Sequence, residues 1–333
     1  MSSLLYCAWW EAPLTSGSTS SPVTAGAAVP AVTPGEPGAP GPAGGGPSSR
    51  SFGALGLVLS GCVSVQFGGA VAVSLMPRAG VLGIVALRLV LAAVVLLVAC
   101  RPALRGHSRA DWGTVLVFGA VMAAMNSLFY EAVDRIPLGA GVTLEVLGPL
   151  SLSVIASRRL LNVLWAGCAL AGVFLLSGLL GGGAGRLDPV GIAFGLGAAV
   201  LWATYILFSA RTGRRFPQAD GLALAMGFGA VLVLPLGIAE SGAKLLVPST
   251  VGLAFGVAVL SSALPYTFEL LALRRLPAAT FSVLMSLEPA IAATAGFLIL
   301  GQAVTVLDAV AIALVIGASI GAVLTQFRTL GRG

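Results

Sequence analysis

The sequence predicts an all-α membrane protein of ten transmembrane helices, arranged as two inverted five-helix repeats. Three observations carry that prediction. Apolar runs recur along most of the chain, cationic residues gather on alternate sides of those runs, and a pattern of Arg and Pro returns after 140 residues. Of 333 residues, 57% are hydrophobic and 9% charged, with a mean hydropathy of +1.01. A soluble domain carries about 25% charged residues. A run of about 20 apolar residues is long enough to cross a hydrocarbon core about 30 Å thick.

The same composition excludes other classes. The net charge of +6 could suggest nucleic acid, but no basic stripe with interleaved aromatics is present, so nucleic acid is not an expected partner. The lipid bilayer is. Cys7, Cys62, Cys100 and Cys168 have no metal spacing and read as small hydrophobes in helix packing. His107 sits in a basic loop. No metal, cofactor or catalytic triad is expected, and an intramembrane enzyme is disfavoured for want of clustered ligands or nucleophiles at membrane depth.

Residues 1–50 stand apart. From Thr15 to Ser49 the chain is Pro, Gly, Ser, Ala and Thr with almost no large apolar residue, which predicts a disordered tail. The opening SLLYCAWW is apolar but too short to span, and it lacks the basic flank of a signal peptide. Ten apolar segments follow, at about 53–76, 80–100, 111–133, 138–156, 161–180, 189–210, 218–239, 249–272, 278–300 and 304–326. Small residues at four-residue spacing, as at Gly191–Gly195 and Gly317–Gly321, read as close helix packing. Trp112 and Trp165, near predicted helix ends, read as interface anchors.

Charge sets the orientation. With the N-terminus inside, cytoplasmic segments collect thirteen cations: Arg50, Arg101, Arg105, Arg109, Arg158, Arg159, Arg211, Arg214, Arg215, Arg274, Arg275, Arg328 and Arg332. The other side holds four (Arg78, Arg135, Arg186 and Lys244), and Arg88 lies within a helix, which accounts for all 18. This bias predicts that both termini are cytoplasmic.

The repeat divides the chain. Arg135, Pro137, Glu145 and Pro149 stand where Arg275, Pro277, Met285 and Pro289 stand 140 residues later. Five helices per half is an odd number, so the halves enter the membrane with opposite orientation. The expected division is 51–182, 183–327 and a short cytoplasmic end at 328–333, with the Gly-rich stretch 181–188 as the joint. Inverted repeats mark secondary transporters, whose sites lie near the midplane between the halves.

Three strings carry a family resemblance: LRLVLAAVVLLVACRPALR at 87–105, IPLGAGVTLEVLGPLSLSVIASRR at 136–159, and SSALPYTFELLALRRLPAATFSVLMSLEPAIAATAGFLILGQ at 261–302. With them the chain resembles the drug/metabolite transporter superfamily, its EamA-type ten-helix branch and, within that, the threonine/homoserine exporters. The resemblance covers about residues 53–327. It implies export of small amino acids across the bacterial inner membrane, with the proton gradient as energy source. Gln302 departs from the Glu the family often carries, and the sequence assigns it no role.

Candidate site residues follow from the cost of charge in lipid, about 2.5–3.5 kcal/mol at the bilayer centre on insertion scales. Arg88, in GIVALRLVLAA, is either one half of an ion pair with Glu145, Glu269 or Glu288, or a clamp for a substrate carboxylate. Each of those carboxylates is either a helix–helix contact or a group that carries a proton or holds an ammonium. Glu288 precedes Pro289, and Glu145 precedes Gly148–Pro149, where a lost backbone hydrogen bond opens a helix toward a cavity. Gln66, Asn126, Trp202, Tyr205 and Tyr266 add polar groups, and Asn126 and Tyr266 are repeat mates. The expected substrate is an amino acid or related metabolite, with protons as the coupled ion. The rival readings are the same fold with another metabolite or a drug, a passive channel, and a structural membrane subunit.

Overall fold

A computed structural model describes residues 49–157, 160–176, 187–216, 220–265, 268 and 283–330. These residues form eleven α-helices and no strand. In chain order they are α1 (Ser49–Ala79), α2 (Val81–Cys100), α3 (Arg109–Arg135), α4 (Leu138–Glu145), α5 (Leu147–Ser157), α6 (Leu160–Leu176), α7 (Pro189–Gly213), α8 (Asp220–Ser241), α9 (Pro248–Ala258), α10 (Glu288–Leu300) and α11 (Val306–Leu330). The predicted tail up to residue 48, the joint at 177–186 and the basic turn at Arg274–Arg275 and Pro277 lie outside the described residues.

Local chemistry sets the boundaries. Ser108 and Asp111 form a capping box at the start of α3, the Ser108 hydroxyl accepting from the Asp111 N–H at 3.2 Å. Thr305 and Asp308 repeat that arrangement at the start of α11. Asp188 caps α7 by accepting from the Val190 N–H at 3.0 Å, with Pro189 in the first turn, where its missing N–H costs nothing. α2 ends at Arg101 and α10 at Gly301, both in left-handed conformations.

Seven helical runs among the described residues are long and apolar enough to cross a membrane: Leu55–Ala79, Val81–Cys100, Arg109–Arg135, Pro189–Gly213, Asp220–Leu246, Val283–Leu300 and Val306–Thr325. Three shorter apolar runs, Leu138–Leu152, Val163–Leu176 and Pro248–Ser261, fall within the predicted fourth, fifth and eighth segments. The fourth segment is not one helix. It breaks at Val146 between α4 and α5, and the ninth breaks at Ser286–Leu287, the equivalent place 140 residues on. The cause is local. Pro149 and Pro289 lack the N–H that would bond the carbonyls of Glu145 and Met285. The eighth segment has a π-helical turn at Val259–Ala263.

Helices pack mostly across the two halves. α2 lies along α8, α3 along α7 and α8, α6 along α11, α1 against α9 and α10, and α4 against α7 and α10. Small residues permit the approach: a Cβ on Gly148 would stand 2.2 Å from the Ala199 carbonyl oxygen on α7. Gly191 and Gly195 pack α7 against Ile136 and Leu144, as their spacing suggests. Gly321 packs on the Trp165 ring, and the Trp165 indole donates to the Thr325 hydroxyl at 3.2 Å. Trp165 therefore holds α6 to α11 and is not simply an interface anchor.

Candidate functional site

The helix breaks place two carboxylates. Glu145 is the last residue of α4 and Glu288 the first of α10, so each stands where a helical ladder is interrupted. Both line one interior cavity of about 70 Å³. Arg88 enters it from α2, Gln66 from α1, Asn126 and Tyr130 from α3, Trp202 from α7, and Ser261 from the π-helical turn. Gln66 and Glu288 are each 5% exposed, so both are buried side chains on this cavity.

Tyr130 holds the Arg88 guanidinium. Its Nη1 donates to the Tyr130 hydroxyl at 2.6 Å, and its carbon lies 5.3 Å from the centre of the Tyr130 ring. The Tyr130 ring meets Phe129 edge-on at 5.4 Å and is 1% exposed. One turn earlier, the Asn126 amide donates to the Met122 carbonyl at 2.9 Å, so Asn126 and Tyr130 share one face of α3. The Trp202 indole N–H is buried without a hydrogen-bond partner among the described residues. Together these groups offer donors and carboxylates around one space, which suits a small ligand bearing both charges.

A smaller cavity of about 20 Å³ adjoins the first and shares Arg88, Met125 and Asn126 with it. Tyr205 lies here with Met122 and Met226, fully buried, its ring 4.9 Å from Phe118. A third cavity of about 340 Å³, between Pro137, Leu176, Gln302 and Asp308, holds none of the predicted site residues.

Of the predicted residues, Gln66, Arg88, Asn126, Glu145, Trp202 and Glu288 meet around one space, and Tyr205 stands beside it. Glu269 and Tyr266 lie outside the described residues. Sequence reasoning missed Tyr130 and Ser261. Arg135 bonds Glu131 at 2.6 Å at the end of α3.

Two further residues clasp helix ends. The Glu240 carboxylate at the end of α8 accepts from the N–H groups of Val81, Leu82 and Gly83 at 3.1, 2.7 and 3.1 Å, closing the first turn of α2. The Ser241 hydroxyl beside it donates to the Ala79 carbonyl. Gln302 accepts from the Leu138 N–H at 3.0 Å at the start of α4. The first clasp anchors the helix that carries Arg88, and the second anchors the helix that ends in Glu145.

Residues 189–324 match the EamA-like transporter family. The threonine/homoserine exporter RhtA of Escherichia coli (strain K12) is 37% identical over 269 residues, 81% of this chain and 90% of that protein. The protein of the same name from Salmonella typhimurium (strain LT2) is 38% identical over 262 residues, 79% of this chain and 88% of that one. A crystal structure 22% identical in sequence superposes with a TM-score of 0.53, covering 84% of this chain and 97% of its own, and shares the fold.

Proposed function

The chain belongs to the drug/metabolite transporter superfamily, in its EamA-type branch beside the threonine/homoserine exporters, and on that basis we propose that it is an inner-membrane secondary transporter. In this reading it exports small polar amino acids of the threonine or homoserine kind by alternating access, driven by protons, and it is not an enzyme. The observation that carries the reading is the single cavity in which Arg88, Glu145 and Glu288 meet between the two halves. Arg88 takes the substrate carboxylate and Glu288 the ammonium, while a carboxyl group at Glu145 or Glu288 exchanges the coupled proton.

Size argues for a small substrate over a drug. At about 10–15 Å³ of such volume per water, the cavity holds roughly five to seven water-sized positions, the scale of an amino acid with about eight non-hydrogen atoms. Drug-sized ligands occupy pockets of about 300–1,000 Å³.

The ten-helix, two-repeat organisation, divided at 51–182 and 183–327, has structural support. The two helix breaks fall 140 residues apart, at Val146 and at Ser286–Leu287. Exchanging the halves maps α2 with α8 and α6 with α11 onto themselves, and maps α1 with α10 onto α7 with α4. The match to the family model also falls wholly within the second half. The excess of Arg on one side supports a reading with both termini in the cytoplasm.

The test is growth. Expressed in a bacterial host exposed to toxic excess threonine or homoserine, the protein is expected to raise resistance. Unchanged sensitivity to both, with the protein present in the membrane, rejects the substrate assignment.

A further inference from the structure

Tyr130 has a donor to spare. Its hydroxyl oxygen accepts from Arg88 Nη1 at 2.6 Å, and an arginine, which is donor-only, cannot take the phenolic proton in return. Among the described residues no group accepts that proton, although the residue is 1% exposed and lines the cavity with Glu145 and Glu288. A buried O–H without an acceptor is costly and calls for a partner supplied from elsewhere. Its position beside a guanidinium defines what that partner must be, since an anion bonded by Arg88 lies within reach of the phenol.

We propose that Tyr130 is a substrate ligand, its O–H and the Arg88 guanidinium together forming the receptor for the substrate's α-carboxylate. The assignment rests on the exporter reading above and deepens it by naming the ligand class as α-carboxylates, with the carboxamide of the same amino acid rejected. A carboxylate has about four lone-pair sites and can bridge a guanidinium and a phenol. A carboxamide must turn a neutral oxygen to one of them, and its NH₂ group finds only donors. Tyr130 also holds the guanidinium in place through its ring, at 5.3 Å from centre to carbon. Tyr130→Phe keeps that contact and removes only the hydroxyl.

The experiment compares threonine with threonine amide as substrates of full-length protein in proteoliposomes. Wild type is expected to prefer threonine. Tyr130→Phe should raise KM for threonine roughly 10- to 100-fold, the loss of one hydrogen bond to a charged group, with Vmax and the KM for the amide within about twofold of wild type. Tyr130→His, which restores a ring N–H donor, should recover part of the preference. It also serves as the second variant if the Phe form is poorly made. Equal changes for both compounds, a fall in Vmax alone, or no change in either variant overturns the assignment and leaves the exporter reading standing. A wild-type protein that moves neither compound overturns both.

Discussion

Replacing Gly80 by alanine tests the clasp that seats the Arg88 helix. Gly80 joins α1 to α2 with φ 67° and ψ 169°, a region reserved almost entirely for glycine, where a side chain costs about 1–3 kcal/mol. The added Cβ would also stand 2.5 Å from the carboxyl carbon of Glu240. The carboxylate must then leave, and the three N–H groups of Val81, Leu82 and Gly83 lose their cap, a further ~0.5–2 kcal/mol. The expected destabilisation is about 1.5–5 kcal/mol, large for one methyl group. Thermal unfolding of the purified protein in detergent reads it. Glu240→Ala should cost only the cap. Because it also removes the clash, the double variant should be less destabilised than the sum of the two single changes. Additive losses, or a Gly80→Ala protein that melts with wild type, would refute the reasoning. Transport should fall in parallel, because Arg88 lies about two turns into the helix that the clasp holds.

Two other substitutions probe the broken helices. Gly148→Ala forces a methyl group against the Ala199 carbonyl oxygen, 2.2 Å from the ideal Cβ, and is expected to lower the melting temperature by an overpacking cost of about 1–3 kcal/mol. Unchanged melting would mean that α5 and α7 are not in close contact. Gln302→Glu keeps an acceptor for the Leu138 N–H and should melt close to wild type, whereas Gln302→Leu should cost about 0.5–1.5 kcal/mol. Equal melting of the two variants would count against the cap at α4.

The long spans were legible because each is a run of apolar residues, and hydropathy alone delimits α2 and α8 within about two residues. The interruption of the fourth segment was legible too, since Gly148 and Pro149 announce it. Groups such as Arg88, Glu145 and Glu288 stand out in an apolar run by their cost, and the structure brings these three around one space. Contacts between distant stretches were not legible. Tyr130 meets Arg88 across 42 residues, Glu240 meets Val81 across 159, and Gln302 meets Leu138 across 164. Nothing in local periodicity encodes such pairings. A carboxylate at a helix end reads as solvated, so Glu240 gave no sign of capping a neighbouring helix. The packing role of Trp165 was hidden for the same reason: its partners Gly321 and Thr325 lie far along the chain.

The central claim is that one cavity, built around Arg88 and Glu288, moves a small amino acid at the expense of a proton gradient. Efflux from proteoliposomes across a panel of amino acids, with and without an imposed pH gradient, measures it most directly. The account predicts gradient-dependent movement of threonine and homoserine that is abolished by Arg88→Ala and by Glu288→Gln, with both variants present at wild-type levels. Transport retained in both variants, or flux indifferent to the gradient, would contradict it.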